Sequence, residues 1–249
     1  MYENEFLLLA KARASFYAFL NIYFTVLPDE QFVQSVRKDE FCGVLDNLKR
    51  DGEVHPEIAE GARLMRAYVS ATKDLEPKRL AERLGVDRTR LYRGITPNFG
   101  PPPPYEALWI GNANDVTEVL QEISQIYGKS EFTVADDTHE RLDYIGIELD
   151  YLEQLVQKEI SAREMQDFDR VRSAVECQYT FCGHHLGEWA PNYITTALEY
   201  ADTDFYEGHL RMLDGFIEQE REVLRQIVDK YSGGRLDSLR HTPSAQLRN

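Results

Sequence analysis

Apolar residues recur at every third or fourth position between residues 138 and 160, and this pattern constrains the fold more than any other in the chain. The positions are Leu142, Ile145, Leu149, Leu152, Val156 and Ile160. A repeat close to 3.6 residues places these side chains on one face of an α-helix. Asp137 and Glu140 fit a capping pair at the start of that helix. We therefore predict a long amphipathic helix over 138–160 that buries one face.

The same helical period runs through most of the chain. It predicts helices at 6–24, 56–71, 77–84, 163–181 and 205–231. In segment 6–24 the apolar residues cover more than one face, which is typical of a helix at the centre of a core. Pro28 ends this helix and Asp29 caps the next one. Because alternating strand patterns are hard to find, we expect an all-α fold of about nine to eleven helices.

The chain also contains a candidate boundary between two lobes. The segment YGKSEFTVADDT, residues 127–138, separates the helical patterns on its two sides. We place an N-terminal helical lobe at 1–132 and a C-terminal helical lobe at 133–232, joined by a hinge. Residues 233–249 contain three arginines and a single acid in an otherwise acidic protein. We expect them to form a flexible tail.

Composition limits the classes of partner. The 249 residues carry a formal net charge of −15, which disfavours nucleic acid and anionic membrane as partners. Three cysteines cannot all pair within one chain, so a reducing compartment is the simpler interpretation. The N-terminus lacks the basic region of a signal peptide, and no stretch approaches the roughly 18–20 apolar residues of a membrane span. We predict a cytoplasmic protein with no stable membrane insertion.

The segment CQYTFCGHHLGEW, residues 177–189, contains ligand types that zinc prefers. Cys177, Cys182, His184 and His185 lack the two short chelating pairs, separated by a long spacer, of structural zinc sites. On a helix Cys177 and His184 share a face while Cys182 and His185 turn away. A metal-dependent hydrolase is therefore the weaker alternative, and packing within the core is favoured. We predict no metal, no cofactor and no catalytic residue.

The segment LAERLGVDRTRLYRG, residues 80–94, has the pattern of a DNA-binding helix-turn-helix. Arg88, Arg90 and Arg93 could contact phosphates. A DNA-binding domain presents a basic face, however, whereas this chain has a small basic patch within a strongly acidic protein. DNA binding is therefore a second weak alternative.

Two further segments could bind a peptide. Four prolines at 101–104 exclude helix before Tyr105, so that Tyr105 and Trp109 either pack inward or line a groove for an apolar peptide. On the predicted 138–160 helix, acidic side chains lie opposite the apolar stripe. They form either a solvated face or a cradle for Arg and Lys. No nucleophile elbow, phosphate-binding loop, dinucleotide fingerprint or zinc-protease motif accompanies them.

Six segments occur in a recognisable order along the chain: ARASFYAFLNIYF at 12–24, VDRTRLYRG at 86–94, PPPPYEALW at 101–109, ERLDYIGIEL at 140–149, HLGEWAPNY at 185–193 and DTDFYEGHL at 202–210. Together they resemble the TorD/DmsD/NarJ family of chaperones for molybdenum-cofactor oxidoreductases. Three positions depart from the family pattern. Tyr144 stands where the family usually has His, and Ala107 and Trp109 stand where Ser and Tyr are usual.

The resemblance implies a TorD-like helical bundle and a chaperone function without enzyme activity. The implied partner is the apo catalytic subunit of a molybdopterin oxidoreductase with its twin-arginine leader. The peptide-binding residues that we expect from the matched segments are Tyr105, Glu106, Trp109, Glu140, Asp143, Tyr144, Glu148, His185, Trp189 and Pro191. The family further implies that a homodimer could form by domain swapping. Some members have been linked to GTP, but this chain has no phosphate-binding loop.

Overall fold

The computed structural model describes residues 2–94, 99–110, 116–134 and 139–232. Within these ranges the chain folds into eleven helices and no strand beyond one isolated β-bridge, which confirms the all-α prediction. The helices are α1 Tyr2–Thr25, α2 Glu30–Val36, α3 Asp39–Leu48, α4 Pro56–Ala71, α5 Pro77–Arg93, α6 Glu106–Trp109, α7 Val116–Lys129, α8 Ile145–Glu164, α9 Phe168–His184, α10 Leu186–Leu198 and α11 Asp204–Ser232. None of the helices described is both long enough and apolar enough to cross a bilayer.

One hydrophobic cluster joins helices from both ends of the chain. Helix α1 packs along α8, and α4 packs along α11. The contact between α4 and α11 depends on two glycines. A Cβ on Gly61 would lie 2.3 Å from the carbonyl oxygen of Gly208, and a Cβ on Gly208 would lie 2.5 Å from that of Gly61. The two backbones therefore touch where no larger residue fits.

The start of α2 follows the sequence prediction. Pro28 lies just after α1, and the side chain of Asp29 accepts a hydrogen bond from the backbone N–H of Phe32 at 2.7 Å. This is the expected N-cap geometry, since the cap satisfies one of the free N–H groups at the helix start.

The helix predicted for 138–160 is wrong at its N-terminus, because α8 begins only at Ile145. The residues just before it are held by another part of the chain. Glu106 donates its backbone N–H to the Asp143 carbonyl at 2.9 Å, and Ile145 donates to the Pro104 carbonyl at 3.0 Å. This pairing takes the place of a further helical turn. Asp137 lies outside the described residues, so the structure does not describe the predicted capping pair.

The helix-turn-helix interpretation of residues 80–94 is also wrong. Helix α5 runs without a turn from Pro77 to Arg93 and ends at Gly94, which has a φ of 57°. Arg88 is buried and donates from Nε to the Tyr23 carbonyl at 3.1 Å and from Nη2 to the Phe24 carbonyl at 2.5 Å. The arginine therefore caps the end of α1, where carbonyls lack helical partners, instead of facing DNA.

The boundary between lobes at 132/133 stays a prediction. Two helix pairs make contact across that boundary: α1 packs against α8, and α4 packs against α11. The predicted tail, 233–249, lies outside the described residues.

Candidate functional site

The proline-rich segment and the residues before α8 form one junction. Tyr105 and Tyr144 form an isolated antiparallel bridge, and their rings lie 5.3 Å apart between centroids. The Asp143 carboxylate accepts a hydrogen bond from the backbone N–H of Ala107 at 3.1 Å, at the start of α6. Because a carboxylate satisfies the free N–H groups of a helix start, Asp143 fixes where α6 begins.

The outer layer of the junction consists of ion pairs. Glu140 accepts hydrogen bonds from the Tyr105 hydroxyl and from Nη1 of Arg93. Arg141 donates from Nε to Asp143 at 2.9 Å, and its guanidinium lies 4.6 Å from the centre of the Tyr105 ring. Burial favours the neutral form of Glu140, but the hydrogen bonds from Tyr105 and Arg93 outweigh it and hold the pKa of Glu140 below its ordinary value.

The inner layer is a fully enclosed polar cluster beneath α6. His185 Nδ1 lies 3.0 Å from Oε1 of Glu106, and Trp189 Nε1 donates to Oε2 of Glu148 at 3.1 Å. Phe181 stacks on the His185 ring with a centroid distance of 4.6 Å. Burial raises the pKa of Glu148 well above its ordinary value, and the nearby negative charge of Glu106 adds to the effect. The cluster ties α6 to α8, α9 and α10.

Most of the acids expected on a solvated face are buried, so the predicted exposed acidic face is wrong. Asp143 and Glu148 are 0% exposed, and Tyr144 is 2% exposed with its hydroxyl donating to the Phe24 carbonyl at 3.0 Å. Because α8 starts at Ile145, residues 140–144 pass beneath α6 instead of forming the polar face of a helix. Glu140 keeps 18% of its side chain exposed and is the accessible carboxylate of the set.

Trp109 and Pro191 belong to neither layer of the junction. Trp109 is half-buried, donates from Nε1 to the Pro103 carbonyl at 3.1 Å and packs edge-on against Tyr193 at 5.5 Å. This packing favours the inward-facing alternative for the proline-rich segment. Pro191 lines a separate groove of about 760 Å³ between α9, α10 and α11, together with Tyr179, His184 and Arg221. The structure therefore brings eight of the ten predicted residues into the two layers of the junction and places Trp109 and Pro191 beside them.

The Cys/His cluster does not converge. Cys182 is buried, which raises the pKa of its thiol, whereas His184 is exposed and His185 turns towards Glu106. Within the described ranges, no group of three or more His, Cys, Asp or Glu side chains is arranged to hold a metal ion. The geometry of these residues gives the metal-dependent hydrolase no support.

Two residues of the junction were not expected from the sequence. The sequence pattern suggests Arg93 as a phosphate contact and assigns no role to Arg141. In the structure Arg93 pairs with Glu140 and Arg141 pairs with Asp143. The pairing of Arg93 with Glu140 joins positions 47 residues apart, so no local spacing could have indicated it. Arg141 and Asp143 are close in sequence, but on the predicted helix over 138–160 residues two positions apart lie on different faces.

Comparison with known proteins covers most of the chain. Residues 51–195 match the family model described as nitrate reductase delta subunit. A "Chaperone protein TorD" of Vibrio cholerae serotype O1, El Tor Inaba, is 22% identical over 228 residues, which cover 91% of this chain and 98% of the relative. Chaperone protein TorD from two other strains of that serotype is 21% identical with the same coverage. All ten predicted site residues lie within the family match.

Proposed function

The chain belongs to the nitrate reductase delta subunit family, and on this premise we propose that it is a redox-enzyme maturation chaperone without enzyme activity. It binds the twin-arginine leader of a molybdopterin oxidoreductase catalytic subunit, the apo subunit itself, or both, until cofactor insertion is complete. Such a chaperone meets its client before export, so it acts in the cytoplasm. The observation that carries the proposal is the match to chaperones named TorD over 91% of this chain and 98% of theirs.

The outer layer of the junction supports a role in binding a basic peptide. Glu140 already holds a guanidinium, and its partner Arg93 keeps 42% of its side chain exposed. We expect an arginine of the leader to displace Arg93, because both present the same planar donors to the same carboxylate. The exchange keeps Glu140 paired throughout. It therefore avoids the cost of leaving a half-buried charge without a partner.

Apolar contacts supply most of the affinity in this proposal. An exposed ion pair contributes only ~0.2–1 kcal/mol, whereas burying a leucine-sized side chain contributes ~1.5–3 kcal/mol. Tyr105, whose hydroxyl contacts Glu140, is partly exposed, and on helix α6, which follows it, Trp109 is partly exposed and Leu108 is 47% exposed. An arginine pair followed by an apolar run matches this arrangement of a carboxylate next to apolar side chains.

The inner layer supports the outer one in this proposal. Glu106, Asp143 and Tyr144 hold the segment that presents Tyr105 and Glu140, and Glu148, His185 and Trp189 hold α6 from below. Because all six are buried, we assign them to positioning the binding surface and not to contact with the leader in this conformation. Pro191 borders the neighbouring groove, where the body of the client can extend the contact.

A pull-down from the native host's cytoplasm tests the proposal and names the client. The chain is tagged at its N-terminus, and bound proteins are identified by mass spectrometry. Recovery of a molybdopterin oxidoreductase subunit that still carries its leader is the expected result. Repeated recovery of other proteins, with no such subunit, would overturn the chaperone proposal.

Titration of a fluorescent peptide with the leader's sequence tests the site. We expect Glu140→Lys to weaken binding at least tenfold and Arg93→Ala to strengthen it, because alanine removes the competing guanidinium. Glu60→Lys makes the same charge change at an exposed acid of α4 that pairs with Arg63, and serves as the matched control. If Glu140→Lys and Glu60→Lys weaken peptide binding equally, the effect is due to net charge, and the proposed role of Glu140 is wrong.

A further inference from the structure

A pocket of about 320 Å³ opens to solvent between α7, α8 and α9, and we call it the α9 pocket. The described residues that line it do not include any of the ten predicted site residues. Its volume falls at the lower end of the range of ~300–1,000 Å³ that is typical of small-molecule sites. About ten water molecules of the liquid would fill such a volume, so the pocket has room for one small organic ligand.

The floor of the α9 pocket is aromatic and firmly held. It consists of the two buried lining residues, Tyr151 and Phe181, whose ring centroids are 4.7 Å apart. Phe181 stacks on His185, Tyr151 packs against Tyr127 at 4.6 Å, and the Tyr151 hydroxyl lies 2.8 Å from Oγ of Ser130. Because these contacts fix both rings, the floor is formed before a ligand arrives. A further ring can pack edge-on or offset against it.

The wall of the α9 pocket is apolar to weakly polar. Ile126 of α7 and Cys177 of α9 are both partly buried there. Burial raises the pKa of the Cys177 thiol, so at neutral pH the side chain stays uncharged and acts as a small hydrophobe. The exposed Ser173 and Thr180 add hydroxyl groups nearer the solvent. The wall therefore suits the body of an apolar ligand with a polar end.

The rim of the α9 pocket carries positive charge, unlike the acidic chain as a whole. Lys129, in the last turn of α7, lines the pocket and is exposed, and within the described part of the chain it makes no hydrogen bond or ion pair. Lys158 adds a second cation, because its Nζ donates to the carbonyl of the lining residue Ser130. Glu176 also lines the pocket, but its carboxylate lies 3.8 Å from Nε of Arg172. The rim therefore favours an anion.

We propose that the α9 pocket binds a small aromatic carboxylate, with its ring against Tyr151 and Phe181 and its carboxylate at Lys129. The ring matches the enclosed aromatic floor, and the carboxylate matches the ammonium group at the rim. A wholly apolar ligand would leave Lys129 without a partner, and a cationic ligand would be repelled by Lys129 and Lys158. The α9 pocket is separate from the junction, so this proposal does not rest on the chaperone function.

Isothermal titration calorimetry with indole-3-acetate and its neutral amide, indole-3-acetamide, tests the proposal, because the two compounds differ in charge and hardly in size. We expect one molecule of the acid to bind per chain with half-saturation below ~1 mM, and the amide to bind about threefold more weakly, as the loss of one exposed ion pair implies. Lys129→Gln should weaken the acid about threefold and leave the amide unchanged. Lys73→Gln removes an exposed lysine between α4 and α5 and serves as the matched control.

The Cys177 thiol shows whether the ligand occupies the pocket. Saturating indole-3-acetate should slow the alkylation of Cys177 by N-ethylmaleimide about fivefold or more, because the bound ring covers the thiol. Cys42 of α3 is also a partly exposed free thiol, and it should react at the same rate with and without the ligand. Mass spectrometry of the digested chain measures both rates.

Three results would overturn the proposal. They are the absence of saturable binding of the acid, equal affinity for the acid and the amide, and an unchanged rate of Cys177 alkylation at saturating acid. Protection of Cys177 by the leader peptide but not by indole-3-acetate would also contradict it, since the pocket would then belong to the client. Calorimetry with the two indole compounds involves no client, so its failure is separate from failure of the chaperone proposal.

Discussion

Glu148 carries the most strongly perturbed carboxyl of the junction. It is fully buried between α8 and α10 and accepts its hydrogen bond from Trp189. Burial, and then the charge of Glu106, raise the pKa of Glu148 well above its ordinary value of 4.5. The folded chain therefore binds this proton more tightly than the unfolded chain does. The contribution of Glu148 to the free energy of unfolding is therefore greatest below the pKa that it has in the unfolded chain. This contribution falls as the pH rises towards the pKa of Glu148 in the folded chain.

Replacing Glu148 by glutamine should remove that loss. The amide keeps an oxygen to accept from Trp189 but does not ionise, so the free energy of unfolding of Glu148→Gln should fall less steeply above about pH 4.5. Urea unfolding between about pH 4.5 and 8 measures the difference from the parent chain. Glu60→Gln, at an exposed carboxyl whose hydrogen bond from Arg63 lowers its pKa, should not flatten the curve. Identical slopes for Glu148→Gln and the parent would refute the assignment.

Arg13 is a second buried charge, and its role is to join helices. Its Nε donates to Glu220 at 2.9 Å and its Nη1 to Glu159 at 2.9 Å, which links α1 to α11 and α8. Arg13→Met should cost about 3–5 kcal/mol, since two buried carboxylates lose a partner. Chemical denaturation measures the loss. Arg63→Met removes the arginine of the exposed ion pair between Arg63 and Glu60 on α4, and it should leave the denaturation midpoint unchanged. A loss in Arg13→Met no larger than in Arg63→Met would contradict this role.

The sequence indicated which residue types the site contains but not which of them are buried. Glu140, Asp143 and Glu148 look alike in a helical pattern, because all three lie off the apolar stripe. Their burial is decided by Pro104 and Glu106, whose backbones pair with the segment before α8. Such a contact between distant backbone groups leaves no spacing signal, so the apolar repeat predicts a helix start that is too early and an acidic face that is exposed to solvent.

At the scale of helices, one glycine decides where the proline-rich segment can run. Gly94 ends α5 with a φ of 57°, and a Cβ there would lie 2.5 Å from Cδ of Pro103. Gly94→Ala should cost at least about 1–2 kcal/mol for the left-handed backbone. Gly43 in α3 has no atom within 4 Å of an added Cβ, so Gly43→Ala should stabilise by ~0.5–1 kcal/mol. Thermal unfolding of both variants checks the opposite signs, and two changes of the same sign would refute the argument.

The helices themselves were predictable where an apolar face repeats over several turns. The pattern at 56–71 coincides with α4, and Asp29 caps α2 as expected. The sequence predicts a helix over 77–84 only, whereas α5 continues to Arg93. Burial of Asp87 and Arg88 at the continuation explains the error. Asp87 accepts from the backbone N–H of Thr203 at 2.9 Å, a partner that the sequence around α5 does not reveal.

At the scale of the whole molecule, family membership and the all-α class were both within reach of the sequence. The ordered motifs indicated the TorD/DmsD/NarJ family, and the comparisons confirm it. Which helices touch was not predictable. The contact of α4 with α11 depends on Gly61 and Gly208, which carry no side chain and hence no hydrophobic pattern. The predicted lobes of 1–132 and 133–232 contribute to one shared cluster of buried residues.

This shared core leads us to expect that the described helices unfold as one unit. Gly208→Ala places a Cβ 2.5 Å from the Gly61 carbonyl oxygen and 3.0 Å from the Met65 nitrogen, so it should cost about 1–3 kcal/mol. In native-state hydrogen exchange, the slowest amides of α1, α4, α8 and α11 should lose the same free energy of protection, because they exchange through the same global opening. Gly128→Ala, with open space around the added Cβ, should not lower the protection of any of the four helices. A loss confined to α4 and α11 would instead mean that the helices across residue 132 open independently, and the hinge predicted from the sequence would then separate two true folding units.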